Sequence, residues 1–328
     1  MTVHGDWVPD RLLPGYVART LPADRPPPVA ATARAVAAGG PAPVLTLVRP
    51  ADEPVAPRGV VVRLHGYNDY FFATHLADAV AAAGWAFVAL DARRAGRSLR
   101  PGEVPHYQGD LREQASDLTR AVTEARRAWP GLPVVVHAHS TGGLVAALWA
   151  HAHRGRGGPD AMVLDSPFLS AERSWLRWLQ DGALGPLARR VPLRVLAQAP
   201  SRYAARLAER WDFDTTLKRP QGVPVRAGWL AALRAGQRRV ARGLAIDVPV
   251  LVARSSRSDV GHGADGPRLD RADTVLDVAA IAALTPWLGS DVRELVVADA
   301  VHDLALSLET PRATYLAALA DFLHALPG

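Results

Sequence analysis

Cysteine is absent from this chain, and lysine occurs once, at Lys218, among 38 basic residues. Without a thiol there is no disulfide, no thiolate nucleophile and no cysteine-ligated zinc or iron–sulfur centre. Long apolar runs are missing as well. No window approaches the ~20 consecutive apolar residues of a membrane span. Met1 to Tyr16 carries Asp6, Asp10 and Arg11 where a signal peptide needs an apolar stretch. The expectation is a cytoplasmic protein with no integral membrane segment. No internal repeat is visible.

What is present is ordinary for a globular protein: 328 residues, 49% hydrophobic and 21% charged. That length supports one large domain, or a core domain carrying an inserted one. The net charge of +6 and pI near 10.2 raise the question of nucleic acid. The arginines are dispersed rather than gathered into a stripe, which argues against such a partner. Arginine in place of lysine throughout, with abundant alanine, reads as the bias of a GC-rich genome. At most it implies mild attraction to anionic molecules or surfaces.

Along the chain, β-branched runs alternate with helical periodicity. Tyr16–Leu21 and Val44–Val48 read as edge strands, with Ala31–Ala38 between them a strand or a loop. Gly59–Leu64, Trp85–Leu90, Val134–Val136, Ala161–Leu164, Val248–Ala253 and Arg293–Ala298 read as buried strands. Helices are expected over His75–Ala83, Leu111–Trp129, Leu144–Ala152, from about Val278, and over Thr310–Leu326. Strands separated by helices of this length imply βαβ units and a mostly parallel sheet covered on both faces, an α/β fold. Reactive groups in such sheets collect at the carboxyl ends of the strands. Residues 167–245 break the pattern. They contain no convincing strand but hold Trp175, Trp178, Trp211 and Trp229 with Leu-rich stretches. This predicts a helical cap inserted between two parts of the core, 1–166 and 246–328, its tryptophans either packing the cap or walling an apolar pocket.

One stretch carries chemistry. In Val134–Gly143 a β-branched strand runs into Ala138-His139-Ser140-Thr141-Gly142 and then into a helix-forming segment. Strand, tight turn and helix with serine at the apex is the layout of a nucleophile elbow, whose sharp turn demands small residues two before and two after the serine. Alone, the match is equally compatible with a serine that caps the following helix. His137 and His139 lie too near Ser140 in sequence to act as its base and are expected to pack against the sheet or a helix. A His-x-His metal site is a weak rival, because no further ligand cluster has the spacing.

Taken with His65-Gly66-Tyr67, Asp91-x-Arg93-x-x-Gly96-x-Ser98, Ala272-Asp273-Thr274-Val275 and His302-Asp303, the elbow makes the chain resemble the α/β-hydrolases. Its nearest likeness is the monoacylglycerol lipase or lysophospholipase-like branch, also labelled serine aminopeptidase-like, over Val60 to Leu326. The resemblance implies a cofactor-independent serine hydrolase with the order serine, acid, histidine. Ser140 is then the nucleophile and His302, just beyond the last strand, the base. Asp273 is favoured as the acid over Asp259, with Asp277 third; choosing Asp273 makes Asp259–Leu269 an insertion in the loop that leads to it. Backbone N–H groups of Thr141 and Tyr67 would form the oxyanion hole. Tyr67, where a small residue is commoner, would narrow the acyl side or add a hydroxyl contact. Asp91, Arg93 and Gly96 would brace the sheet edge. The expected partner is a small, moderately hydrophobic ester. A thioesterase, amidase or peptidase, perhydrolase or non-catalytic binder of the same fold remain alternatives, and a homo-oligomer is compatible with all of these.

Overall fold

A computed structural model describes residues 6–24, 41–170, 184–260 and 266–327. The expectations placed on Ala31–Ala38, Trp175 and Trp178 lie outside the described residues. A two-residue strand that the sequence did not announce, β1 (Val8–Pro9), precedes the strands expected of the apolar segments: β2 (Tyr16–Pro22), β3 (Val44–Pro50), β4 (Val60–Leu64), β5 (Ala86–Asp91), β6 (Val134–His139) and β7 (Ala161–Asp165). After an insertion that holds β8 (Val195–Ala197) and β9 (Val225–Arg226), the sheet resumes with β10 (Val250–Ser255) and β11 (Val292–Val297). Its nine strands lie in the order β1-β2-β3-β5-β4-β6-β7-β10-β11. From β5 to β11 neighbours are parallel, while β1, β2 and β3 add an antiparallel edge.

Side chains alternate across this sheet, so each central strand feeds two apolar layers. Val60, Val62, Leu64, Val134, Val136 and Ala138 pack with Leu118 and Val122 of α2 (Arg112–Ala128) and Leu144 and Val145 of α3 (Thr141–His153). Val61 and Val135 pack on the other side with Leu76 and Val80 of α1 (Thr74–Ala82) and Tyr315 and Leu319 of α8 (Glu309–His324). The resulting mostly parallel sheet brings the loops that follow β4, β6, β10 and β11 to its carboxyl edge.

The insertion contains α4 (Leu184–Arg190), α5 (Arg202–Ala208) and α6 (Ala227–Val240), with α7 (Val278–Leu284) following β10. It is not wholly helical: β8 and β9 pair antiparallel, which corrects the strand-free expectation for this region. All three residues of β8 are exposed, so the apolar alternation by which a strand is read from sequence is missing there. The two-residue β1, with Pro9 as its second member, leaves no pattern either. Trp211 donates to the Leu306 carbonyl (3.1 Å) and stacks on His75 (4.7 Å), while Trp229 packs tilted against Tyr67 (4.1 Å between ring centres). Both tryptophans join insertion to core.

The edge brace is built around Asp91. Its Oδ1 accepts from the Phe71 amide at 2.9 Å, and its Oδ2 accepts from both the Arg97 amide and the Arg97 guanidinium at 2.9 Å. Gly96 passes close beside it with φ +48°, and a Cβ there would sit 2.4 Å from Asp91 Oδ2 and 2.5 Å from Tyr70 Cβ. Gly96→Ala therefore combines left-handed strain with a clash, and is expected to cost ~2–5 kcal/mol, read as a lowered urea midpoint with unchanged slope.

Candidate active site

Ser140 stands between β6 and α3 with φ 54° and ψ −121°, a conformation L-residues avoid. Three hydrogen bonds hold its backbone: Ser140 N–H donates to the Asp165 carbonyl (3.0 Å), and its own carbonyl accepts from Phe168 (2.9 Å) and Leu144 (3.3 Å). The need for small neighbours has a concrete source. A Cβ on Gly142 would lie 2.3 Å from the His65 carbonyl oxygen, and one on Gly66 would lie 2.9 Å from Ser140 Cβ. The pairing Leu64↔Ala138 sets this proximity, because it ends β4 and β6 side by side.

His302 follows β11 and reaches back over the elbow. Its Nε2 is 2.9 Å from Ser140 Oγ and its Nδ1 is 2.8 Å from Asp273 Oδ2. A carboxylate only accepts, so Nδ1 carries the proton and Nε2 presents its lone pair to the serine hydroxyl, a tautomer assigned from the partners. The other oxygen of Asp273 accepts from the amides of Val275 and Leu276, both at 2.8 Å. Asp259 turns outward to Arg268 (3.8 Å), and only its amide approaches, donating to the Asp273 carbonyl (2.8 Å). Asp277 caps α7 by accepting from the Ala279 amide (2.7 Å). Of the three acids weighed from sequence, Asp273 is the one brought to His302.

Thr141 is the first residue of α3, where an amide has no acceptor within its helix and the helix dipole is positive. Tyr67 shares a peptide unit with the Gly66 carbonyl, and His65 fixes that unit. The His65 ring accepts from the Ala92 amide at Nε2 (3.1 Å), so its Nδ1–H donates to the Gly66 oxygen (2.7 Å). In a trans peptide the N–H points opposite to the C=O. Gripping the Gly66 oxygen therefore aims the Tyr67 N–H the other way. The Tyr67 hydroxyl is spent on the Pro224 carbonyl (3.0 Å).

Sequence reasoning missed a buried ionic layer beneath the serine. Arg63 on β4 and His137 on β6 are register partners, and the guanidinium donates to His137 Nδ1 (3.1 Å) and to Asp303 (3.1 Å). His137 Nε2 then donates to the Tyr315 hydroxyl (2.6 Å). Burial, then Arg63, keep His137 neutral well below its ordinary pKa. His139, whose ring lies 4.7 Å from that of His302, meets the opposite fate. Burial opposes its charge, but Asp303 and Asp165 outweigh it and raise the pKa. The signal was a polar side chain at alternate positions of strands otherwise wholly apolar. Donor atoms of Asp69, His139 and Asp303 lie within 4.8 Å of one another. Lys218 on Asp69 (2.7 Å) and Arg63 on Asp303 (3.1 Å) supply positive charge there.

His106, beside Tyr67, is pushed down to about 3 by burial and by His65. Its folded value lies below its unfolded one, so the unfolded chain takes up the proton first. That stability is complete above about pH 6.5 and is lost as pH falls toward 3; His137 acts in the same sense. Melting temperature is expected to fall between pH 6.5 and 4, and less steeply in His106→Gln, measured by circular dichroism.

A serine on a strand–turn–helix elbow, followed in sequence by an aspartate and a histidine that meet it at the carboxyl edge of a mostly parallel sheet, defines an α/β-hydrolase. The chain belongs to the serine aminopeptidase (S33) family, whose model matches residues 55–304. A monoacylglycerol lipase of Mycolicibacterium smegmatis is 34% identical over 208 residues, 61% of this chain and 70% of that protein. Among solved structures, a soluble variant of the Saccharomyces cerevisiae monoglyceride lipase aligns with TM-score 0.63 at 16% identity, covering 87% of this chain and 92% of the other. A Bacillus coagulans carboxyl esterase aligns with TM-score 0.61 at 13% identity, covering 87% and 95%. These two share the fold.

Proposed function

We propose that the protein hydrolyses carboxylic esters of the monoacylglycerol type through an acyl-enzyme on Ser140. The observation that carries this reading is His302 bridging Ser140 Oγ and Asp273 at 2.9 and 2.8 Å; the lipase relative from M. smegmatis supports the substrate class. Ser140 Oγ attacks the ester carbonyl while His302 Nε2 takes its proton. Asp273 stabilises the imidazolium that forms, and the amides of Thr141 and Tyr67 hold the oxyanion. The tetrahedral species collapses, the alkoxide leaves with the proton from His302, and the acyl group stays on Ser140. Water then attacks the acyl-enzyme with His302 again as base, which releases the acid and restores the serine. Residues 167–245 serve as a cap above these groups, and its apolar content suits a moderately hydrophobic acyl chain.

Thioesters and amides would pass through the same steps, so a matched panel of esters, thioesters and amides ranks them. Ser140→Ala is expected to abolish hydrolysis of p-nitrophenyl esters and labelling by a fluorophosphonate. Asp273→Asn is expected to lower kcat by ~10⁴-fold and Asp259→Asn by less than threefold. A Ser140→Ala protein with parental activity overturns the reading.

A further inference from the structure

In a chain that uses arginine for every other cation, the single lysine, Lys218, is buried at 4% exposure. Its Nζ lies 2.7 Å from Asp69 Oδ1 and 5.4 Å from the centre of the Phe72 ring. A buried ion pair is a costly way to hold two segments together, since apolar side chains of similar volume do so as well or better. What the pair adds is direction, and the place where it acts is telling. Asp69 lies two residues beyond Tyr67, in the loop that starts with His65-Gly66.

Every residue from Tyr67 to Tyr70 is held by the insertion. Tyr67 donates to the Pro224 carbonyl (3.0 Å). Asn68 makes a double clasp with the Arg219 backbone, donating to its carbonyl (2.9 Å) and accepting from its amide (2.8 Å). Asp69 takes Lys218, and the Tyr70 hydroxyl accepts from the Asp214 amide (2.7 Å). Asn68 turns the loop here with a left-handed φ of 54°, which asparagine adopts more readily than most residues. The Tyr67 amide is thus fixed on one side by His65 and on the other by residues 214–224.

We propose that Lys218, acting through Asp69, is a positioning residue that locks the 66–70 loop so that the Tyr67 N–H is aimed for oxyanion binding. Residues 214–224 then belong to the catalytic framework and stay seated while substrate enters. An ammonium suits the position better than a guanidinium: it is a compact point charge that meets one carboxylate oxygen, where a planar fork would need both oxygens and more room.

The inference rests on Tyr67 as an oxyanion donor in the hydrolase reading above. Its test uses the full chain as Lys218→Met, Asp69→Asn and their double variant, with kcat and KM on a p-nitrophenyl ester and the rate of fluorophosphonate inactivation, well below each melting temperature and normalised to folded protein. Lys218→Met is expected to lower kcat and the inactivation rate together by at least tenfold, with KM within threefold and the pH midpoint of kcat unmoved. The double variant, which strands no charge, is expected to lose as much as Lys218→Met and no more. Asn68→Gly, at a half-buried position whose left-handed backbone glycine accepts, removes the clasp without that strain and is expected to lower kcat severalfold should the charge variants not fold. Parental kcat in any folded variant, with only the melting temperature reduced, overturns the proposal and reduces the pair to a structural tie. That result with an inactive Ser140→Ala leaves the hydrolase reading intact, whereas an active Ser140→Ala removes both.

Discussion

Two strand ends approach more closely than a methyl group allows, and the rest of the site is arranged around that contact. β4 and β6 run side by side and stop at the same level, so the turn after each must pass the other. Gly66 abuts the Ser140 Cβ and Gly142 abuts the His65 carbonyl, which leaves hydrogen as the side chain at both positions. The same approach places the peptide between Gly66 and Tyr67 beside the first turn of α3. Two amides thereby come to one spot from different segments. Ser140 carries the strain of the sharp turn, on the order of 1–3 kcal/mol, and the hydrogen bonds that tie its backbone to Asp165 and Phe168 offset it.

Below the serine the protein replaces apolar packing with charge. From Lys218 the order runs to Asp69, then to His139 and Asp303, to Arg63, and through His137 to Tyr315 on the last helix. Lys218 faces Asp69 and Arg63 faces Asp303, so each of these desolvated charges has a partner of opposite sign, and neutral His137 carries the order on to Tyr315. Burial alone would raise the Asp303 carboxyl, but His139 and Arg63 hold it well below the carboxylate range. The layer links insertion, central strands and C-terminal helix directly beneath the elbow. An apolar layer would allow these elements to slide; paired charges set both their distance and their register.

How much of this was legible depended on whether the relevant signal was local. Runs such as Val60–Val62 and Val134–Val136 declared their strands, since a strand buried on both faces is apolar at successive positions. Ser140 was legible because an elbow is encoded within five residues. The ranking of Asp273 over Asp259 rested on a family likeness, and what separates them in space is non-local. Asp259 pairs its backbone with the Asp273 strand-like segment and sends its side chain out to Arg268. No pattern in the sequence encodes that pairing. Exposed β8 and the two-residue β1 were illegible for want of burial contrast. Lys218 was conspicuous only as a composition statistic until Asp69, 149 positions away, was placed against it.

The long connection from β10 to Asp273 raises a physical question, because an acid on a loose loop would orient His302 poorly. The loop answers it with backbone pairing. Ser258 and Asp273 form a parallel bridge, the Asp273 amide donates to the Arg257 carbonyl (3.0 Å), and the Asp259 amide donates to the Asp273 carbonyl (2.8 Å). Asp273 is therefore held like a residue of a short extra strand. Residues 257–259 and Asp273 are paired side by side, so the length of the connection adds little to the entropy of placing the acid. The amides of Val275 and Leu276 then take one carboxylate oxygen and leave the other for His302. A carboxylate fully engaged in this way has no freedom to rotate, and the imidazole inherits that rigidity through a single hydrogen bond.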